Sequence, residues 1–194
     1  MNLSTEKFRQ AVAALHRGKD VVYGNAWKKR GEVLSILANI ARKVDRIEYG
    51  VDGTSATPGE TLLDTAIDLL VYCLKYETYL ADLDPSLADK FFDGTVNRPY
   101  SSGTNGFEYL LYRLDLSELE KGDITTKTAM EQTLSRFAEL ERCFSGLDMK
   151  QSVAARLVHV RALLGASVRL VASLRREHGV SYQDFLVSNR GEEN

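Results

Sequence analysis

ETLLDTAIDLLVYCLKYETYL, residues 60–80, is the stretch whose periodicity decides the fold. At about 100° per residue, Leu62, Leu63, Ala66, Leu69, Leu70, Cys73 and Leu74 occupy most of a helical circumference, which predicts a largely buried helix. The remainder is a narrow acidic stripe, Glu60, Asp64 and Asp68, stacked a turn apart. Like charges at this spacing oppose helix formation by about 0.2–0.5 kcal/mol, and burial raises the cost. A compensating partner is therefore expected, either a hard divalent cation or facing Lys and Arg side chains. Thr57-Pro58-Gly59-Glu60 fits a capping box with Pro at the first helical position, so Glu60 has a second explanation as a helix start. Asp64 and Asp68 read as mid-helix residues, where Asp is a poor choice unless it serves some other purpose or faces water.

Outward from this helix, almost everything else has helical period, and nothing alternates as a strand does. The spacing predicts helices over about 4–16, 29–48, 58–80, 107–114, 125–144 and 148–178. Val153, Leu157, Val160, Leu164, Val168, Val171 and Leu174 form an apolar seam on the last of these. Only three prolines punctuate the chain, and DLDPSLADKFFDGTVNRPYSSGTNG reads as a loop of functional length. The expectation is an all-α bundle of four to six helices with a long C-terminal helix. It divides into a helical core over 1–82, a loop or lid over 83–106, and a helical extension over 107–190 packed on the same core.

The second predicted helix carries Glu32, Asn39, Lys43 and Arg46 in a stripe about 60° wide, beside an apolar face of Val33, Leu37, Ile40, Val44 and Ile47. Arg42 and Asp45 point away from that stripe. If the helix packs antiparallel to the next, the cationic and acidic stripes face each other. The cations then neutralise acids or grip phosphates while the acids hold metal; an ordinary interhelical salt-bridge network is the alternative. Before this helix, Tyr23-Gly24-Asn25 is turn chemistry, and Trp27, Lys28, Lys29 and Arg30 place one aromatic among three cations. Trp27 reads equally as a stacking platform for a base and as a core anchor.

A net charge of −2 leaves no global basic field, so any anion site is local and nucleic acid is not an expected partner. Lys150, Arg156, Arg161, Arg169, Arg175 and Arg176 on the C-terminal helix read as a solvated basic flank. Cys73 and Cys143 lie in apolar helical patterns and are expected to be buried thiols. His16, His159 and His178 are scattered and make no triad. No apolar run is read as long enough to span a bilayer, and MNLSTEKFRQ lacks the apolar core of a secretory signal, so a cytoplasmic location away from membranes is expected.

Together YGNAWKKRG, IARKVDRI and ETLLDTAIDLLVY resemble the MazG-like all-α nucleoside triphosphate pyrophosphatase superfamily, over residues of about 8–80. The resemblance is to its phage-type branch, in which a YGNSW-like turn precedes a KWDR-like helix end and a DLANY-like helix. It implies a Mg²⁺-dependent hydrolase (Mn²⁺ as substitute) that cleaves a ribo- or deoxyribonucleoside triphosphate to the monophosphate and pyrophosphate. Carried onto this chain, it implies Glu32, Glu60, Asp64 and Asp68 as metal ligands and Glu32, Lys43, Asp64 and Asp68 as the catalytic set. Asn25, Trp27, Lys28, Arg30, Asn39, Lys43, Arg46 and Tyr72 are the implied substrate contacts. It also implies a homodimer or larger homo-oligomer, with the C-terminal seam as the candidate interface. The first acidic helix departs from the pattern, offering Glu32 followed by Ser35 where relatives show two acids a turn apart. The alternative reading is a non-catalytic module that binds a nucleotide or nucleotide-derived signal and acts through a partner protein.

Overall fold

A computed structural model describes residues 3–51, 61–121, 123–145 and 151–190. Among these there is no strand, and the chain is an all-α bundle. Its helices are α1 (Leu3–Tyr23), α2 (Ala38–Val51), α3 (Leu62–Leu83), α4 (Pro85–Phe91), α5 (Asn105–Arg113), α6 (Glu118–Lys121), α7 (Thr126–Arg142), α8 (Val153–Glu177) and α9 (Gly179–Ser188). A 3₁₀ turn (Gly24–Lys28) and a π-helical turn (Glu32–Leu37) join α1 to α2.

The centre is α3 packed on α8. Leu63, Ala66, Ile67, Leu69, Leu70, Cys73, Leu74 and Leu80 are all buried, as the apolar wheel of residues 60–80 requires. Fully burying one such Leu contributes about 1.5–3 kcal/mol, so this helix dominates the core. The α8 seam residues Val160, Leu164, Val168, Val171 and Leu174 are buried against it. The stripe expected to serve as an interface between copies is therefore consumed inside the fold. By length and composition α8 is apolar enough to cross a membrane, contrary to the sequence reading, and 67% of its most apolar stretch is buried inside the bundle. Cys73 and Cys143 are free and buried.

Several boundaries differ from the sequence expectations for local reasons. The first helix runs past His16 to Tyr23, and Gly24 stops it with φ of 47°, the left-handed conformation that ends helices. The third helix is described from Thr61, which caps α3 in a box with Asp64: Asp64 N donates to Thr61 Oγ1 at 3.1 Å and Thr61 N donates to Asp64 Oδ2 at 2.9 Å. Asp64 is thus a first-turn capping residue and not the mid-helix acid of the sequence reading. The box expected at 57–60, with Glu60, lies outside the described residues. The segment expected as one long loop contains α4, started by Asp84 accepting from Ser86 N at 2.9 Å and by Pro85 in the first turn.

Between α4 and α5 the chain is fastened down. The Asp82 carboxylate at the end of α3 accepts from Tyr100 N at 2.8 Å and Ser101 N at 2.9 Å. Phe92 and Tyr100 stack with ring centroids 3.9 Å apart. The basic residues of α8 are also spent on structure more than on solvation. Arg156 is buried, and Arg175 donates to the Leu119 carbonyl at 3.1 Å. Lys150 lies outside the described residues.

Candidate functional site

A cavity of about 490 Å³ opens where the end of α1, the 3₁₀ turn, the start of α2 and the middle of α3 meet. Helical spacing explains its walls. On α1, His16, Lys19 and Tyr23 succeed one another at three- and four-residue steps, and on α3 Asp68, Tyr72 and Lys75 do the same. Asn39 and Arg42 enter from α2, and Trp27 from the 3₁₀ turn.

Asp68 is the one acidic side chain lining the cavity among the described residues, and both of its oxygens are engaged. Lys19 Nζ bonds Oδ1, and Lys43 Nζ lies 2.7 Å from Oδ2. Burial alone would raise the Asp68 pKa, but these two ammonium groups hold its carboxyl below the usual value. Lys75, 9% exposed, places Nζ 4.8 Å from the Trp27 ring centroid. Burial, assisted by Lys19 and Lys28 and opposed by Asp20, lowers its pKa to about 8. His16 stacks on Phe107 with centroids 3.9 Å apart. Its pKa falls to about 3 through burial and then the charges of Lys75, Arg17 and Lys19, so the imidazole is neutral.

Of the residues singled out in the sequence, Trp27, Asn39, Asp68 and Tyr72 line this cavity, and Lys43 reaches it through Asp68. Asn25, Arg30 and Arg46 are exposed and lie outside the lining. Lys28 is committed elsewhere, donating to the Ser101 carbonyl at 2.9 Å, Ser101 Oγ at 2.6 Å and Ser102 Oγ at 3.0 Å. Glu32 belongs to a different cluster. Its buried carboxylate lies 2.8 Å from Arg156 Nε on α8 and accepts from the Tyr76 hydroxyl.

The cause of that separation is the π-helical turn. Glu32–Leu37 runs with i→i+5 hydrogen bonding, so a stripe drawn from Glu32 at α-helical phase does not hold across it. Glu32 turns toward α8, while Arg42, which helical phase points away, lines the cavity beside Asn39 and bonds its side-chain oxygen. His16, Lys19 and Lys75 are cavity residues that sequence reasoning misses. A Lys embedded in the apolar pattern of YCLKYETYL is the signal for Lys75, whereas a lone His or Lys near a helix end carries none.

Among the described residues no three His, Cys, Asp or Glu side chains converge so as to hold a metal ion. Asp64 is tied to its own helix start, Asp68 to two lysines, and Glu32 to Arg156 and Tyr76. The described acids therefore do not fit a Mg²⁺ site.

Fold and site define a helical bundle with a cationic, aromatic-walled pocket. No family model matches the chain, and no solved structure matches it. Among curated proteins it is similar to the Gene 30 protein of Bacillus phage SP01, at 29% identity over 108 residues, covering 44% of this chain and 48% of that protein. The chain thus spans about half the length of the curated relative it matches.

Proposed function

We propose that this protein binds a nucleoside phosphate in the cavity between α1, α2 and α3. The observation that carries the reading is the composition of the cavity wall. Lys19, Arg42 and Lys75 line it against one carboxylate, Asp68, which already shares its charge with Lys19 and Lys43. The local field is positive in a chain whose net charge is −2, which suits an anionic ligand. Tyr23, Trp27 and Tyr72 supply aromatic surface beside those cations, matching a ligand that joins a base to phosphates. A cavity of about 490 Å³ is within the range of small-ligand sites.

Binding is measurable without labels, because Trp27 is the single tryptophan and lies in the cavity wall. Titration with a panel of ribo- and deoxyribonucleotides is expected to change its fluorescence saturably, with Kd tightening from monophosphate to triphosphate. Absence of any response in fluorescence and calorimetry at millimolar ligand overturns the reading.

Hydrolysis of a triphosphate to monophosphate and pyrophosphate is the second reading. It is supported by the order of the YGNAWKKRG, IARKVDRI and ETLLDTAIDLLVY motifs and by the cations Lys19, Arg42 and Lys75 that line the cavity with Asp68. Pyrophosphate release from the same panel, with Mg²⁺ or Mn²⁺ present, separates turnover from binding alone. Assembly as a homodimer or larger homo-oligomer is a further proposal from the same resemblance, tested by light scattering.

A further inference from the structure

His16 is 1% exposed, lines the cavity, and has no hydrogen-bond partner at either Nδ1 or Nε2 among the described residues. A buried polar group without a partner costs about 1–3 kcal/mol, so its retention there calls for a use. Lys75 lines the same cavity and is nearly as deep, with its ammonium over Trp27 and no ion pair to a described carboxylate. A donor and a cation thus lie at the bottom of one pocket, each without an acceptor of its own among the described residues.

Resting on the reading of this cavity as a nucleotide site, we propose that His16 and Lys75 form its phosphate-accepting floor. One imidazole N–H donates to a phosphate oxygen and the Lys75 ammonium pairs with the same group, while Tyr72 and Trp27 wall the rest of the ligand. The surroundings of His16 set the consequence. On α1 it has Arg17, Lys19 and Asp20; on α3 Asp68, Tyr72 and Lys75; on α2 Arg42; and on α5 the Phe107 ring and Glu108, which Arg17 holds at 2.7 and 2.6 Å. Cations dominate that set, and they hold the free imidazole neutral. A bound phosphate offsets their repulsion, so His16 gains affinity for a proton when the floor is occupied.

The test uses the full chain with a purine and a pyrimidine nucleoside triphosphate, the matching nucleosides, and inorganic tripolyphosphate. His16→Phe keeps the stack on Phe107 but has no N–H, and Lys75→Met keeps the stem but not the charge. Each is expected to weaken triphosphate and tripolyphosphate binding about tenfold or more while leaving nucleoside affinity within about twofold. In the unaltered protein, the His16 ring resonances are expected to stay fixed from about pH 5 to 8 without ligand and to titrate at a higher midpoint with ligand bound.

Nucleotide binding that is unchanged by both substitutions overturns the floor and leaves the nucleotide reading standing. Tripolyphosphate binding that depends on His16 and Lys75, with no selectivity for nucleotides over it, upholds the floor and removes the nucleotide reading. Failure of every ligand to bind removes both. If either variant does not fold, the His16 titration in the unaltered protein decides, and resonances unmoved by saturating tripolyphosphate overturn the proposal.

Discussion

Arg156 on α8 lies 2.8 Å from the carboxylate of Glu32, at the head of the π-helical turn, and both side chains are at most 4% exposed. The pair ties the C-terminal half of the chain to the segment that leads into α2, and the Tyr76 hydroxyl from α3 donates to the same carboxylate. Removing one member leaves a buried charge with less compensation. Arg156→Met is therefore expected to lower stability by about 3–5 kcal/mol, whereas Glu32→Leu combined with Arg156→Met recovers most of the loss. Urea unfolding of the unaltered protein and the two variants measures this. Because Glu32 stands outside the cavity, the double variant is also expected to keep its nucleotide affinity within about twofold.

Lys75 supplies the opposite case, a residue whose removal stabilises. Its pKa in the folded protein is about 8 against an ordinary value of 10.5, so between those values the unfolded chain binds more protons. Stability then rises with pH across that window. Lys75→Met is expected to gain about 1–3 kcal/mol at pH 7, to flatten the rise above pH 8, and to lose affinity for nucleotide. Thermal unfolding between pH 6 and 10 beside a binding titration tests both halves.

For Asp68 the sign is reversed. Lys19 and Lys43 hold its folded pKa below the ordinary 3.8, so its contribution is full above that value and is lost as pH falls through the folded one. Asp68→Asn is expected to cost about 1–2 kcal/mol at neutral pH, after discounting for the partly exposed Lys19. The difference from the unaltered protein should shrink as pH falls below the ordinary 3.8 and through the lowered folded value, as denaturant titrations at pH 7 and at stepwise lower pH will show.

Gly106 in the first turn of α5 packs against the fastened segment after α4. A Cβ there would lie 2.2 Å from the Tyr100 carbonyl oxygen, which is backbone and has little room to move. Gly106→Ala is expected to cost about 1–3 kcal/mol, where an ordinary helical Gly→Ala gains stability. A lowered unfolding midpoint, with Phe92–Tyr100 stacking disturbed in near-ultraviolet circular dichroism, is the observable.

The all-α architecture, the burial of residues 62–80 and the seam of α8 come from periodicity, which needs only each residue's distance along its own helix. Asp64 shows where that information ends, since placing the cap of α3 at Thr61, four residues on from Thr57, turns a mid-helix acid into a capping partner. The π-helical turn shows it again: one changed hydrogen-bonding step takes Glu32 out of phase with α2 and sends it to Arg156, while Asn39 stays at the cavity. His16 and Lys19 of α1 meet Asp68, Tyr72 and Lys75 of α3 only because α1 packs across α3, and no spacing within either helix encodes that contact. Helical phase is set locally by the backbone, whereas the company a charged side chain keeps is set by how helices pack, and the candidate site is made of the second.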